Sequence, residues 1–177
     1  RVTGEAHALD VSRPLGRLTS AAVKAAFAPS ATSSRDAWAA AGVLLSTVAS
    51  TVLCLGVPGA SDPHGVGGQA TSAALEAMRK AQMPVVLTLD QVRSGGVEAL
   101  PAEQLIHVCE NPTIVEVVAE RWRQVSTVAT DPVLVCTGGQ PSTAVVDLLV
   151  TLTARGARCC YHGDFDWSGL RIAQTLH

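Results

Sequence analysis

The sequence predicts an α/β domain with a parallel sheet flanked by helices, and two observations carry this prediction. From Leu100 onward, short apolar runs alternate regularly with longer patterns of helical periodicity. Connections of this kind give right-handed crossovers between parallel strands, which the helices then cover. The chain also has 177 residues, of which 47% are hydrophobic, so it is long enough to bury a full core.

Residues 1–99 are predicted to form a smaller mixed α/β region before that domain. The patterns indicate helices at 15–27, around Trp38 and at 70–82, and strands at 50–57 and 84–89. The segment 58–68 is rich in Gly, Pro and Asp, which predicts a loop.

Residues 100–177 are predicted to form the regular α/β domain. The expected strands are 105–109, 133–136 and 157–162, and the expected helices are 112–125, 142–154 and one from Leu170. The first residue is not Met and the last falls inside a predicted helix, so we expect the chain to be a C-terminally incomplete fragment. An uncovered sheet edge favours pairing with a second copy, so a homodimer is a further expectation.

Charge and hydropathy exclude two simple classes of function. The formal net charge of −2 is not that of a free-standing DNA-binding protein, which needs a basic face to displace counterions from phosphates. Any affinity for DNA must then come from other segments, a second copy or partner subunits. No apolar run has the length of a membrane span, and no signal sequence is present, so we expect a soluble, cytoplasmic protein without a membrane partner.

The five cysteines do not predict a zinc site or a disulfide framework. None of them forms a CxxC pair, and four lie in apolar runs that resemble buried strands. We interpret them as small core residues in a reducing compartment.

Three acidic residues directly follow predicted strands of the second domain. Glu110 follows the first strand, and Asp164 and Asp166 follow the third. Ligands of such sheets bind beyond the carboxyl ends of the strands. A spacing of two in an extended segment places both aspartates on one side, so Phe165 is expected to turn the other way, into packing. The sequence therefore predicts three carboxylates at one rim of the sheet.

A divalent cation would relieve the repulsion within this acidic trio, which we define as Glu110, Asp164 and Asp166. Without a cation, at least one of these carboxylates would take up a proton. A site with a small number of oxygen ligands, and with room for water and phosphate, suits Mg²⁺ or Mn²⁺ better than zinc. The alternative is that Asp166 only caps the helix that follows, that Asp164 makes a turn and that Glu110 is a solvated loop residue.

Other residues near these strand ends are candidates for contacts with phosphate. Gly138 and Gly139 would let the backbone approach a phosphate closely, although an ordinary strand-to-helix turn explains them equally well. Arg171 could neutralise a phosphate near the metal, although a surface arginine is the default. His162 is expected to point away from Asp164, so we do not assign it to the site.

Four phrases of the sequence resemble a known family. They are VTGEAHALD near the start, VCENPTIVEVVA, LVCTGGQPS and YHGDFDWSGLRIA. A Glu after one strand and a DxD after another resemble the Toprim signature of topoisomerases, primases and related nucleases. The wider context resembles the Toprim nuclease subunit of Wadjet-like plasmid-defence systems, which is distantly similar to the topoisomerase VI A subunit. His7 and Asp10 lie in the first phrase, and we assign them no role.

The resemblance implies a metal-dependent endonuclease that hydrolyses double-stranded plasmid DNA delivered by an SMC-like ATPase complex. Glu110, Asp164 and Asp166 would bind the Mg²⁺ or Mn²⁺ ion and carry the catalysis. The only tyrosine, Tyr161, lies in a predicted strand and is a poor nucleophile, which favours attack by water. Two alternatives stay open: a metal-binding DNA-interaction module of a larger complex, and a Toprim protein similar to topoisomerases or primases.

Overall fold

The computed structural model describes residues 14–31, 34–43, 46–125 and 131–176. They fall into two compact units, one within Arg1–Ser46 and the other within Thr47–His177. We predicted a boundary between residues 99 and 100, but a single sheet in the second unit takes strands from both sides of that position. His7 and Asp10 lie outside the described residues.

The first unit contains two helices in its described part, α1 (Pro14–Phe27) and α2 (Ser34–Ala40). Trp38 Nε1 donates a hydrogen bond to Ser20 Oγ at 3.1 Å, which joins the two helices. Ser20 is buried, and so is Ala37 on the facing helix. Both helices match the elements predicted from the sequence.

The second unit is an α/β domain, as predicted. Its described elements are, in chain order, β1 (Thr51–Leu55), α3 (Gly65–Lys80), β2 (Val85–Thr88), α4 (Leu89–Arg93), β3 (Leu105–Cys109), α5 (Pro112–Gln124), β4 (Val133–Cys136), α6 (Thr143–Thr153), β5 (Arg158–His162) and α7 (Trp167–Leu176). The sheet order is β2-β1-β4-β3-β5. Strands β3, β4 and β5 are parallel, as expected, whereas β1 runs antiparallel to both β2 and β4.

The sheet is buried on two faces by different helices. Residues of α3, α4 and α6 pack on one face, where Leu75, Leu89 and Leu148 are fully or almost fully buried. Helix α5 packs on the other face through Val115 and Trp122. All four residues of β4 are buried, because this strand lies under helices on both sides. Among the described helices, none combines the length and the apolar character needed to cross a membrane.

Three helix starts differ from the prediction, those of α3, α4 and α7, and α7 begins at Trp167 instead of Leu170. Close backbone packing explains the first. Helix α3 begins at Gly65, within the glycine-rich segment that predicted a loop. A Cβ on Gly96 would lie 2.4 Å from the Gly68 carbonyl oxygen, so glycine allows the start of α3 to pack directly on the chain before β3. Helix α4 is short and was not predicted. It begins with a capping box between Thr88 and Gln91.

Candidate functional site

An open cleft of about 1270 Å³ lies at the carboxyl ends of β3, β4 and β5 and extends along the α5 side of the sheet. Its lining includes most of the predicted site residues: Glu110, Gly138, Gly139 and Asp164. His107, Tyr161 and His162 also contribute to the lining. Because the three parallel strands all end here, one cavity collects side chains from three separate stretches of sequence.

Glu110 is held at this rim by the end of β3 and the start of α5. The next residue, Asn111, caps α5 by accepting a hydrogen bond from the Thr113 backbone N–H at 2.9 Å. The Cys136 thiol, at the end of β4, donates to the Glu110 carbonyl oxygen at 3.4 Å. The helix cap at Asn111 and the hydrogen bond from Cys136 thus hold the backbone on both sides of Glu110. The side chain of Glu110 is half-buried.

Asp164 is positioned by a close contact with the first turn of α7. A Cβ on Gly169 would lie 2.0 Å from the Asp164 carbonyl oxygen, so only glycine permits this packing without movement. The strand ends at His162, and the chain bends at Phe165 and Asp166 before α7 begins. The prediction that Phe165 turns into packing is wrong, because the segment is not extended there and Phe165 is 98% exposed.

Asp166 caps helix α7. Its Oδ1 accepts a hydrogen bond from the Gly169 backbone N–H at 2.7 Å. The capping role proposed as the alternative for this residue is therefore present. Oδ2 is not used by this contact, so capping leaves one carboxylate oxygen for another ligand.

The hydroxyl of Tyr161 lies near the acidic trio. It is buried, and no described atom meets the distance and angle of a hydrogen bond with it, although the Glu110 carboxylate lies near enough to favour the protonated phenol. Burial raises the pKa of Tyr161, and the negative charges of Glu110, Asp164 and Asp166 raise it further. A Cβ on Gly163 would lie 2.1 Å from this hydroxyl, so glycine makes the room that the phenol occupies.

All three carboxylates lie near enough to Tyr161 for their charges to raise its pKa. Their oxygens are nevertheless not gathered tightly. Within the described part of the chain, the acidic trio is not among the groups whose ligand atoms all lie within 4.8 Å of one another. The side chains of Asp164 and Asp166 are exposed and have room to turn.

The two glycines after β4 both adopt positive φ angles, 61° at Gly138 and 101° at Gly139. Consecutive residues of this kind favour glycine, because a side chain would be strained. A Cβ on either residue would meet no atom within 4 Å, so the backbone here faces open space. Arg171, the other predicted phosphate contact, is exposed, and its Nε donates to the Trp167 carbonyl oxygen at 3.3 Å. It does not line the cleft.

Comparison with protein families gives two matches. A family model described as "Protein of unknown function C-terminus (DUF2399)" matches residues 85–177, more than half of the chain. The chain belongs to this family. A second model, described as "Protein of unknown function N-terminus (DUF3323)", matches residues 1–59. No curated protein and no solved structure matches the chain. The DUF2399 segment contains the acidic trio and four of the five described strands, whereas β1 falls in the DUF3323 segment.

A second group of side chains within the DUF2399 segment was not predicted. It consists of His107, Cys160 and His162, whose ligand atoms, one from each residue, all lie within 4.8 Å of one another. Among the described residues, this is the one group of potential metal ligands that meets this distance. His107 Nδ1 and His162 Nε2 lie 3.0 Å apart, and the two rings stack with centroids 5.2 Å apart. His162, which the prediction left outside the site, lines the same cleft as Asp164.

The sequence contained one signal for this group, the alternation of Cys160 and His162 on one side of a strand. His107 enters only through the register of β3 against β5, in which His107 pairs with Cys160 and Cys109 with His162. The two strands are separated in sequence by the whole of α5, β4 and α6. The pairing of His107 with Cys160 therefore cannot be predicted from the sequence of either segment alone.

Proposed function

We propose that this protein is a metal-dependent DNA endonuclease of the Toprim type, acting on foreign plasmid DNA as in Wadjet-like defence. The observation that carries the proposal is the common cleft at the carboxyl rim. Glu110 from the end of β3 and Asp164 from the end of β5 line it together with the Gly138–Gly139 turn after β4. This is the combination that the Toprim resemblance implies, a Glu and a DxD around a glycine turn.

The donor set fits a hard divalent cation such as Mg²⁺ or Mn²⁺. Glu110 and Asp164 supply carboxylates to the cleft, and the second oxygen of Asp166 is left by the capping contact. A bound ion would polarise the phosphate and lower the pKa of the attacking water. The three carboxylates bring negative charge near the phenol of Tyr161, which stays protonated because its pKa is raised.

The same rim supports binding of a phosphate group. Helices α5, α6 and α7 all begin after strands that end there, and helix N-termini favour anions. The Gly138–Gly139 backbone faces open space in the same cleft, so a phosphate can approach it closely. Carboxylates alone would repel DNA, which is why the proposed chemistry depends on the cation.

The position of Tyr161 supports hydrolysis by water over a tyrosine-linked mechanism. Its hydroxyl is buried, whereas a nucleophile must reach the phosphorus atom of the substrate. The raised pKa further disfavours the phenolate form that would attack.

The second candidate function is a metal-binding module that contacts DNA within a larger complex. Two observations favour it: the carboxylates of the acidic trio are not closely gathered in the described residues, and the chain has a formal net charge of −2. In that case partner subunits, including the SMC-like ATPase implied by the resemblance, would supply the basic surface, and cleavage would be done elsewhere in the complex.

The proposal is tested by incubating the full-length protein with closed circular plasmid, with and without Mg²⁺ or Mn²⁺. We expect nicked and linear products that appear only with the metal, disappear with a chelator and carry no covalently attached protein. Nucleoside triphosphates should not be required, which separates this activity from that of a primase. Tight metal-dependent DNA binding without any strand break would instead favour the second candidate.

A further inference from the structure

Three potential metal ligands lie on the sheet surface between β3 and the edge strand β5. Cys160 and His162 alternate along β5 and therefore share one face. The register pairs Cys160 with His107, which brings the ring of His107 onto the same face. Helix α5 covers β1, β4 and β3 on this side, and β5 is the last strand of the described sheet. The group is therefore built on regular strands, and two of its members, His107 and His162, line the cleft.

We propose that His107, Cys160 and His162 bind a borderline transition-metal ion, Zn²⁺ in the first place, with water in the fourth position. Zinc–nitrogen bonds of about 2.0–2.1 Å in a tetrahedral site place two ligand nitrogens roughly 3.3 Å apart. His107 Nδ1 and His162 Nε2 lie 3.0 Å apart, within a few tenths of that spacing. All three ligand atoms lie within 4.8 Å of one another, so small rotamer changes suffice to bring the sulfur into the same sphere.

This zinc site is distinct from the proposed site of the acidic trio. Imidazole and thiolate ligands select softer ions, whereas carboxylates and water suit Mg²⁺ and Mn²⁺. The proposal does not depend on nuclease activity, since it rests on different side chains. It adds a second metal to the same cleft, because His107 and His162 line the cavity together with Glu110 and Asp164. The ion would also join the edge strand β5 to β3.

Cys109, a cysteine that does line the cleft, is a much poorer ligand. Cys109 is buried, and burial together with the neighbouring Cys136 raises its pKa to about 12. Cys160 is only half-buried. The competing interpretation of the histidine pair is a simple hydrogen bond, in which one neutral imidazole donates to the other. That interpretation assigns no role to the thiol.

The experiment is a titration of the full chain with Co²⁺, a spectroscopic substitute for Zn²⁺, under reducing conditions. The wild type should bind one equivalent tightly and show both the visible bands of tetrahedral cobalt and a sulfur-to-metal charge-transfer band. Zn²⁺ should displace the cobalt. Cys160→Ser should remove the charge-transfer band and weaken Zn²⁺ binding by at least a hundredfold. Loss of a residue that only supports a metal ligand typically weakens binding about 10–100-fold, and loss of a ligand itself should cost at least as much.

Two matched variants complete the test. Cys159→Ser changes the neighbouring thiol, which lies on the opposite face of β5, and should leave the spectrum and the affinity unchanged. His162→Gln changes an exposed ligand and should weaken Zn²⁺ binding as Cys160→Ser does. The proposal is overturned if the wild type binds no metal, or if Cys160→Ser keeps the charge-transfer band and the wild-type affinity. Glu110→Gln should not alter the cobalt spectrum, so failure of the endonuclease proposal is seen separately.

Discussion

The two groups of candidate ligands in the cleft differ in how the fold positions them. His107, Cys160 and His162 lie within β3 and β5, where strand register fixes each Cα, and their ligand atoms are close together. Glu110, Asp164 and Asp166 lie one to four residues beyond the same strands and are more widely spread. Residues within strands meet by register alone, whereas residues beyond them meet only if the turns hold them together.

The ions proposed for the two sites require different kinds of ligand arrangement. A zinc ion takes few ligands in a fixed tetrahedron and benefits from a rigid platform. Mg²⁺ keeps several waters and is often completed by substrate phosphates. A looser set of carboxylates therefore suits an ion that keeps several waters until a phosphate of the substrate replaces them. The exposed side chains of Asp164 and Asp166 agree with this second type of site.

The largest expected effect comes from removing the charge of one rim carboxylate. Asp164→Asn should reduce the rate of metal-dependent plasmid cleavage roughly a thousandfold or more, several kcal/mol of barrier. The fold should be retained, with stability unchanged or slightly higher, because repulsion within the acidic trio decreases. Initial nicking rates and thermal melts measure the two effects. Glu116→Gln, on the exposed part of α5 and outside the cleft, is the matched control. Near wild-type nicking by Asp164→Asn would remove the trio from the chemistry.

The next effect tests whether the turn after β5 holds the rim in place. Gly169→Ala would put a Cβ 2.0 Å from the Asp164 carbonyl oxygen, so we expect a loss of stability of about 1–3 kcal/mol and slower cleavage. Gly67→Ala is the matched control, since each glycine is the third residue of its helix. A Cβ added at Gly67 would meet only Ser94 Cβ at 3.7 Å, so this variant should gain up to about 1 kcal/mol. Chemical denaturation of both variants measures whether the free energy of unfolding rises or falls. A higher free energy of unfolding for Gly169→Ala would contradict the close packing.

A smaller effect separates the two roles of Asp166. Asp166→Ala removes the helix cap and should lower stability by about 1 kcal/mol. Asp166→Asn keeps an oxygen that can accept from the Gly169 N–H, so its stability should stay within a few tenths of a kcal/mol. Both variants should lose plasmid cleavage if the carboxylate charge is also needed. Cleavage retained by Asp166→Asn but lost with the fold in Asp166→Ala would make capping the sole role of this residue.

The smallest effect is expected at Tyr161. Tyr161→Phe removes a buried hydroxyl without a described partner, so stability should be unchanged or higher by up to about 1 kcal/mol. Plasmid cleavage should stay within a few-fold of the wild type. A large loss with a trapped protein–DNA adduct would indicate a tyrosine nucleophile instead.

The raised pKa of Tyr161 adds a pH dependence with a definite sign. The unfolded phenol ionises near pH 10, about its ordinary value, while the folded one stays protonated to higher pH. The unfolded state then binds fewer protons, so the wild type loses stability as pH rises above about 10. Tyr161→Phe should lack this part of the loss, which denaturation across alkaline pH measures.

The sequence was most informative where one segment carried the whole signal. Strand β3 and strand β4 were predicted with their observed bounds, because short apolar runs between turn residues identify buried strands. Glu110 and Asp164 were placed at the strand ends by the same reasoning. The short helix α4 was missed because its stability comes from a capping box and burial rather than from periodicity.

What could not be predicted depends on contacts between distant segments. The antiparallel pairing of β1 with β4, and the pairing of His107 with Cys160, both require the sheet order. The exposure of Phe165 follows from a bend that begins where β5 ends, and the local sequence spacing did not indicate it. We expected the cysteines to be only core residues, and this expectation did not include Cys160 beside two histidines. That arrangement also depends on a contact between distant segments.

The most direct test of the endonuclease account is the affinity of the full chain for Mn²⁺, followed by the electron paramagnetic resonance signal of the free ion. The wild type should bind Mn²⁺, and Glu110→Gln should weaken this binding at least about tenfold, or roughly 1.4 kcal/mol. Cys160→Ser, which alters only the proposed zinc site, should bind Mn²⁺ as the wild type does. Equal Mn²⁺ affinity of the wild type and Glu110→Gln would contradict the account, because the ion would then not be held at the carboxyl rim.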